Sequence, residues 1–180
     1  MDKQWGIIEL LNYSRHDWLN KVQLIKGNIE LNNIDYVKEI IDNIIIEAKN
    51  EAQLANMQMP KLAELLMTGN WRDFVFSLEY EVLQVSKVCH KLDEAASNWT
   101  NTFMNILNVT LDPLGENELK IDIYESENSL RFTFDLVGKI TDKHVLNLYL
   151  KECPSLATMS VSSFTDEEIV FVMEWEFQTL

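Results

Sequence analysis

A chain of 180 residues with 47% hydrophobic and 10% aromatic side chains can bury an ordinary core, which excludes a disordered tail. Its formal net charge of -14 sets it against polyanions, so no nucleic acid and no anionic membrane surface is expected as a partner. The first residues, Met1 to Trp5, have no basic stretch leading into an apolar one, and no apolar run approaches the ~18 residues of a membrane span; a cytoplasmic protein is expected.

From Trp5 to Leu31 the residues Ile7, Ile8, Leu11, Trp18, Leu19, Val22, Ile25 and Ile29 recur at spacings of three and four without a proline. That pattern predicts a long amphipathic helix with this stripe as its core face. A polar break at 31–35 offers Asp35 as a cap for a second helix reaching Met57. The second helix carries Val37, Ile41, Ile44, Ala48 and Ala55 on one stripe, with Ile40, Ile45, Ile46, Ala52 and Leu54 beside it. A lone hairpin cannot cover both. A second copy completing a four-helix bundle can, so a homodimer is expected; the alternative is that the C-terminal segment folds back over the hairpin.

Past Met59 the periodicity changes, which places a helical domain over residues 1–59 and a second domain over 60–180. Pro60 opens a short helix to Thr68, ended by Gly69. An alternating run from Phe74 to Val82 predicts a strand, and helical spacing returns from His90 to Asn108. After the turn Asp112-Pro113-Leu114-Gly115 come two alternating runs, Glu118 to Tyr124 and Leu130 to Val137, read as a hairpin. A helix from Asp142 to Lys151 and a last strand pair, Thr158 to Phe164 and Ile169 to Phe177, complete an α+β pattern with a mostly antiparallel sheet under two or three helices. Cys89 and Cys153 stand in no metal or redox spacing and are read as reduced thiols without a role.

One residue of the first helix stands apart. At about 100° per residue with Leu11 at zero, the apolar stripe spans roughly -40° to +80°, while His16 falls near 140° among Asn12, Tyr13, Asn20, Gln23, Leu24 and Gly27. The ring therefore points to solvent or to a partner. An unperturbed imidazole, with a pKa of ~6.5, keeps a nucleophilic nitrogen available near neutral pH, and phosphoryl transfer asks mainly for alignment and charge neutralisation. Arg15 and Lys21 offer positive charge, Asp17 can hold the ring or take its proton, and Asn20 sits one turn along the same face. The window 12–27 holds Arg15, Lys21 and Lys26 against Asp17 alone, a local excess that suits an acidic partner.

The run Ser14-Arg15-His16-Asp17-Trp18-Leu19-Asn20-Lys21-Val22-Gln23-Leu24-Ile25-Lys26-Gly27 resembles the R-H-D-x-x-N-x-[LV]-Q-x-I-x-G phosphoacceptor box of the sporulation initiation phosphotransferases. That family is related to the phosphoacceptor domain of citrate- and malate-sensing histidine kinases. The match is specific over residues 13 to 57 and looser beyond. It implies a dimer whose hairpins form a four-helix bundle and a C-terminal domain descended from a kinase ATP-binding domain. It also implies that His16 takes a phosphoryl group from one response regulator and gives it to a second, which commits the cell to sporulation. Arg15, Asp17 and Asn20 are the expected supports, and Tyr13, Lys21, Gln23, Leu24 and Lys26 the expected regulator contacts. No cofactor is expected on this chain; the Mg²⁺ belongs to the regulator's aspartate pocket.

Two other functions compete. An ATP-dependent histidine kinase needs an asparagine-bearing helix and clustered glycine loops that let backbone amides approach phosphates. Asn101, Asn105 and Asn108 are present, but the five glycines, at 6, 27, 69, 115 and 138, are scattered. A noncatalytic dimeric adaptor that only binds a response regulator is the other. Were His16 not the carrier, His90 and His144, each at an expected helix start, are the remaining histidines.

Overall fold

The computed structural model describes residues 6–86 and 89–177. Its elements run α1 (Ile7–Glu30), α2 (Ile34–Asn56), α3 (Pro60–Met67), β1 (Ser77–Gln84), α4 (Asp93–Thr110), β2 (Glu118–Glu125), β3 (Ser129–Val137), α5 (Lys143–Lys151), β4 (Ala157–Phe164) and β5 (Glu168–Glu176). Two compact units divide between Lys49 and Asn50, inside α2. The expected helix start at Trp5 lies outside the described residues.

The first unit is a helical hairpin. α1 ends because Asn32 turns to a φ of 56°, and the N–H groups of Asn32 and Asn33 then donate to the carbonyls of Ile29 and Asn28. This closes the helix end as a Schellman motif, with asparagine in the left-handed position that glycine usually fills. α2 starts one residue earlier than expected, so Asp35 lies in its first turn and accepts from Lys38 at 2.8 Å rather than capping the helix. Apart from Ile25, the apolar stripe of α1 stays open, contrary to its expected role as core. Ile7, Leu11, Trp18, Val22 and Ile29 all stay more than half exposed. The partly covered face instead runs through Leu10, Ser14, Asp17, Lys21, Ile25 and Asn28, and Lys21 pairs with Glu47 of α2. On this face Leu10 and Ile25 accompany the ion pair, Val37 of α2 is buried, and the greasiest surface of α1 stays open. On α2, Ile41, Ile45 and Ile46 are open as well.

The second unit is an α+β domain built on one five-stranded sheet of order β1-β2-β3-β5-β4. β1 and β2 run parallel because α4 crosses between them, and every other pair is antiparallel. Alternation along the strands puts Leu119, Ile121 and Ile123 of β2, Phe132, Phe134 and Leu136 of β3, and Ile169, Phe171, Met173 and Trp175 of β5 in the core. α4 lays Trp99 and Phe103 on Phe134 and Phe171, with ring centroids 5.2 to 5.9 Å apart, and α3 and α5 lie against α4. The N-terminus of α3 carries Pro60 in its first turn, and the buried carboxylate of Asp93 accepts from the N–H groups of Lys61 and Leu62 at 3.1 and 2.9 Å.

β1 begins at Ser77, not at Phe74, because side-chain amides occupy the preceding backbone: Asn108 accepts from Val75 N–H and Asn117 donates to its carbonyl. Asparagines also close the free edge of this strand. Asn70 pairs with both the N–H and the carbonyl of Leu78 at 2.8 Å, while Asn50 donates to the Tyr80 carbonyl and accepts from Val82 N–H. These amides stand where a further strand would add.

Candidate functional site

His16 lies in the middle of α1 with 73% of its side chain exposed. It projects from a face that is neither the open apolar stripe nor the flank toward α2. Within its first turns the helix brings two polar groups to Nδ1: Asn20 Nδ2 at 3.3 Å and Asp17 Oδ1 at 3.5 Å. They favour opposite tautomers. An Asn20 N–H donates to an unprotonated Nδ1, whereas the Asp17 carboxylate takes a proton that Nδ1 carries. Both leave Nε2 without a neighbour from this pair, so the ring is held at one nitrogen and presents the other.

The remaining predicted residues fall into two groups. Arg15, Asn20, Gln23, Leu24 and Lys26 are exposed, with Leu24 52% open and Lys26 near Glu30 at 3.8 Å. Tyr13 and Lys21 are half-buried on or near the flank that faces α2, where Lys21 is also 5.9 Å from the Trp18 ring centre. Lys21 is thus already engaged inside the hairpin. Sequence reasoning missed a shallow groove one turn beyond His16, lined by Asn20, Gln23, Leu24, Gly27, Asn28 and Leu31. A glycine inside a 24-residue helix was the available signal. The partner of Lys21, Glu47, carried no signal at all, because its pairing depends on the rotation of one helix about the other.

His90 and His144 are exposed at helix starts, the latter donating its backbone N–H to the capping Asp142. The asparagines of α4 named above are spent on the fold: Asn101 accepts from Arg72, Asn105 donates to the Asn101 carbonyl, and Asn108 holds Val75. Cys89 is buried; Cys153 is exposed, and partial burial raises its thiol pKa above the usual range. Among the described residues no helix is long and apolar enough to cross a membrane.

Residues 2–57 match the family described as the Sensor_kinase_SpoOB-type alpha-helical domain, and residues 58–176 match Sporulation initiation phospho-transferase B, C-terminal. The chain is 38% identical over 138 residues to Sporulation initiation phosphotransferase B of Bacillus subtilis (strain 168), covering 76% of this chain and 72% of that protein. Among solved structures it is similar to the Acinetobacter baumannii histidine kinase AdeS, at 10% identity and a TM-score of 0.42 over 91% of this chain and 98% of that one. A bacterial phosphotransferase structure is similar at 17% identity and a TM-score of 0.38, covering 95% and 98% of the two chains. The molecule is therefore a phosphotransferase, of the kind that works in a phosphorelay. It belongs to the sporulation initiation phosphotransferase family.

Proposed function

We propose that His16 is the phosphoryl carrier, loaded from the aspartyl phosphate of one response regulator and unloaded onto the aspartate of a second that controls sporulation. The observation that carries this reading is the exposure of the ring, 73%, on a helix face that neither α2 nor the apolar stripe claims. A phosphoryl donor held on another protein must approach in line with the attacking nitrogen, and only an outward ring permits that. Nε2 attacks phosphorus as the P–O bond to the aspartate breaks, and the carboxylate leaves with the bonding electrons. The proton on Nδ1 stays with the resulting phospho-imidazolium or passes to Asp17, whose carboxylate is 3.5 Å away. Asn20 is placed to meet a phosphoryl oxygen, and Arg15 to offset its charge. The Mg²⁺ that neutralises the transferring group sits in the regulator, so this chain need supply no metal ligand.

The two regulators use the same face in turn, with Gln23, Leu24 and Lys26 as contacts and Tyr13 and Lys21 at its border. The hairpin works as half of a four-helix bundle in a homodimer. The open stripe of α1, with Ile41, Ile45 and Ile46 of α2, supports that assembly, since a single copy leaves this apolar surface in water. The relay would run in the cytoplasm.

Transfer from a single-domain response regulator, charged on its aspartate with acetyl phosphate, tests the reading. His16→Gln should accept nothing while keeping the wild-type melting temperature and oligomeric state. Labelled ATP alone should leave the wild-type chain unlabelled. Transfer to His16→Gln at the wild-type rate would remove the role from this residue.

A further inference from the structure

The sheet of the second unit has two edges, β1 and β4, and the chain treats them differently. At β1 the outward backbone groups are taken: Asn70 pairs with both groups of Leu78, and Asn50 meets the Tyr80 carbonyl and the Val82 N–H. At β4 they are left open. The Glu176 N–H donates to the Leu156 carbonyl and the Thr165 N–H to the Glu168 carbonyl, which fixes both ends of the ladder between β4 and β5. Antiparallel alternation then turns the groups of Thr158 and Ser160 toward β5 and those of Met159, Val161 and Phe164 away from it. Ala157 is closed locally, its N–H donating to the Pro154 carbonyl and its carbonyl accepting from Cys153 Sγ. Among the described residues, nothing does the same for Met159 or Val161. Exposed edges are ordinarily guarded by a charge, a proline, a bulge or shortness. β4 has eight residues without a charge or a proline, and its one irregularity is a bulge at Ser162. Val161 is 47% exposed at the centre of this edge.

We infer that the β4 edge is a docking site for an extended, basic segment of another protein, which joins the sheet as a sixth strand. This role is separate from the carrier role of His16. The backbone groups of Met159 and Val161 supply the hydrogen bonds, and charge selects the occupant. Residues 152–176, which make β4, β5 and their ends, hold Glu152, Asp166, Glu167, Glu168, Glu174 and Glu176 and no cationic side chain. Lys143 pairs with Asp166 and Arg131 with Glu174, while Glu152, Glu167 and Glu176 are exposed. Glu152 and Glu176 flank the start of β4, with Lys151 beside them, and Glu167 flanks its end. An uncharged strand with lysine or arginine at both ends matches this layout. A second copy is the competing occupant. Twofold pairing of β4 with β4 runs antiparallel and lays the acidic start of each strand beside the acidic end of the other, which is unfavourable.

The test uses the full-length chain and a labelled peptide of alternating threonine and valine with two lysines at each end; its control carries glutamates instead. The lysine peptide should bind about tenfold or more tightly than the control at low salt. Residue-resolved amide exchange of the free chain should be fast at Met159 and Val161 and slow at Thr158 and Ser160, and the bound peptide should slow the first pair. Val161→Pro removes an outward N–H without touching a bond to β5 and should raise the Kd about tenfold, the scale of one hydrogen bond. Val161→Lys should keep the wild-type melting temperature and weaken binding severalfold, less so as salt rises. No binding of the lysine peptide, equal binding of the two peptides, unchanged exchange at Met159 and Val161, or indifference to both variants overturns the inference. Self-association in light scattering that Val161→Pro abolishes gives the edge to a second copy and overturns it as well.

Discussion

Val22 is the residue to charge if the open stripe of α1 is a dimer seam. It lies near 20° on the helix, close to the middle of the stripe, and keeps 53% of its surface exposed in the single chain. Full burial of an aliphatic side chain is worth about 1.5–3 kcal/mol, so covering the open half contributes about 1 kcal/mol per copy. A twofold interface counts it twice. Val22→Glu removes that gain and forces two like charges toward one another, so the dimer should weaken by at least about 2 kcal/mol, roughly 30-fold in Kd. Glutamate is a better helix former than valine, so helicity should not fall. Sedimentation equilibrium over a concentration series reads the Kd, with circular dichroism as the check on folding. An unchanged Kd with intact helicity would refute the seam; an unchanged Kd together with faster digestion of the C-terminal domain would point to that domain as the cover.

Four further outcomes are expected. Asn70→Ala strips two 2.8 Å hydrogen bonds from the edge of β1 and should cost about 1–3 kcal/mol, read as a fall in the denaturant midpoint. Asp93→Ala leaves Lys61 and Leu62 N–H groups without their acceptor and should destabilise by a similar amount. Tyr149, half-buried with its hydroxyl donating to the Trp99 carbonyl, has its phenol pushed far above the usual range by burial. Its folded pKa exceeds the unfolded one, so the folded state holds the proton longer; the stability this provides is complete below pH ~10 and is lost as pH rises beyond it. Tyr149→Phe should therefore flatten the alkaline fall in unfolding free energy, and an identical slope in both proteins would contradict the assignment. Lys26→Glu should slow phosphoryl transfer from the regulator severalfold at low salt and converge on wild type as salt screens the charge; a salt-independent defect would mean the residue acts through packing.

Much of this was legible because periodicity and turn chemistry are local. The helix spacing from Ile7, the proline at 60 and the alternating runs from Glu118 each announce an element without reference to the rest of the chain, and the phosphoacceptor box picks out His16. What stayed hidden depends on how elements meet. The stripe of α1 was read as the hairpin's own core because apolar residues are expected to bury against the nearest helix, yet the face of α1 turned to α2 is the one with Leu10, Ser14, Lys21 and Ile25, where Lys21 meets Glu47, and most of the stripe stays open. That pairing spans 26 residues and cannot be read from either neighbourhood. The same holds for Asn50, Asn70, Asn108 and Asn117, four unremarkable polar residues whose amides complete backbone pairing at β1. Their common role shows why asparagine in α4 was a poor guide to nucleotide binding. At the site, angular placement found the exposed face, but the contest of Asp17 and Asn20 for one ring nitrogen needed side-chain geometry.

Mass-spectrometric mapping of the acid-labile phosphate, after the wild-type chain is mixed with a regulator phosphorylated on its aspartate, tests the account most directly. The phosphate should be found on His16 alone. Its recovery on His90, on His144 or on an acidic side chain would contradict the outward imidazole of α1 as the carrier.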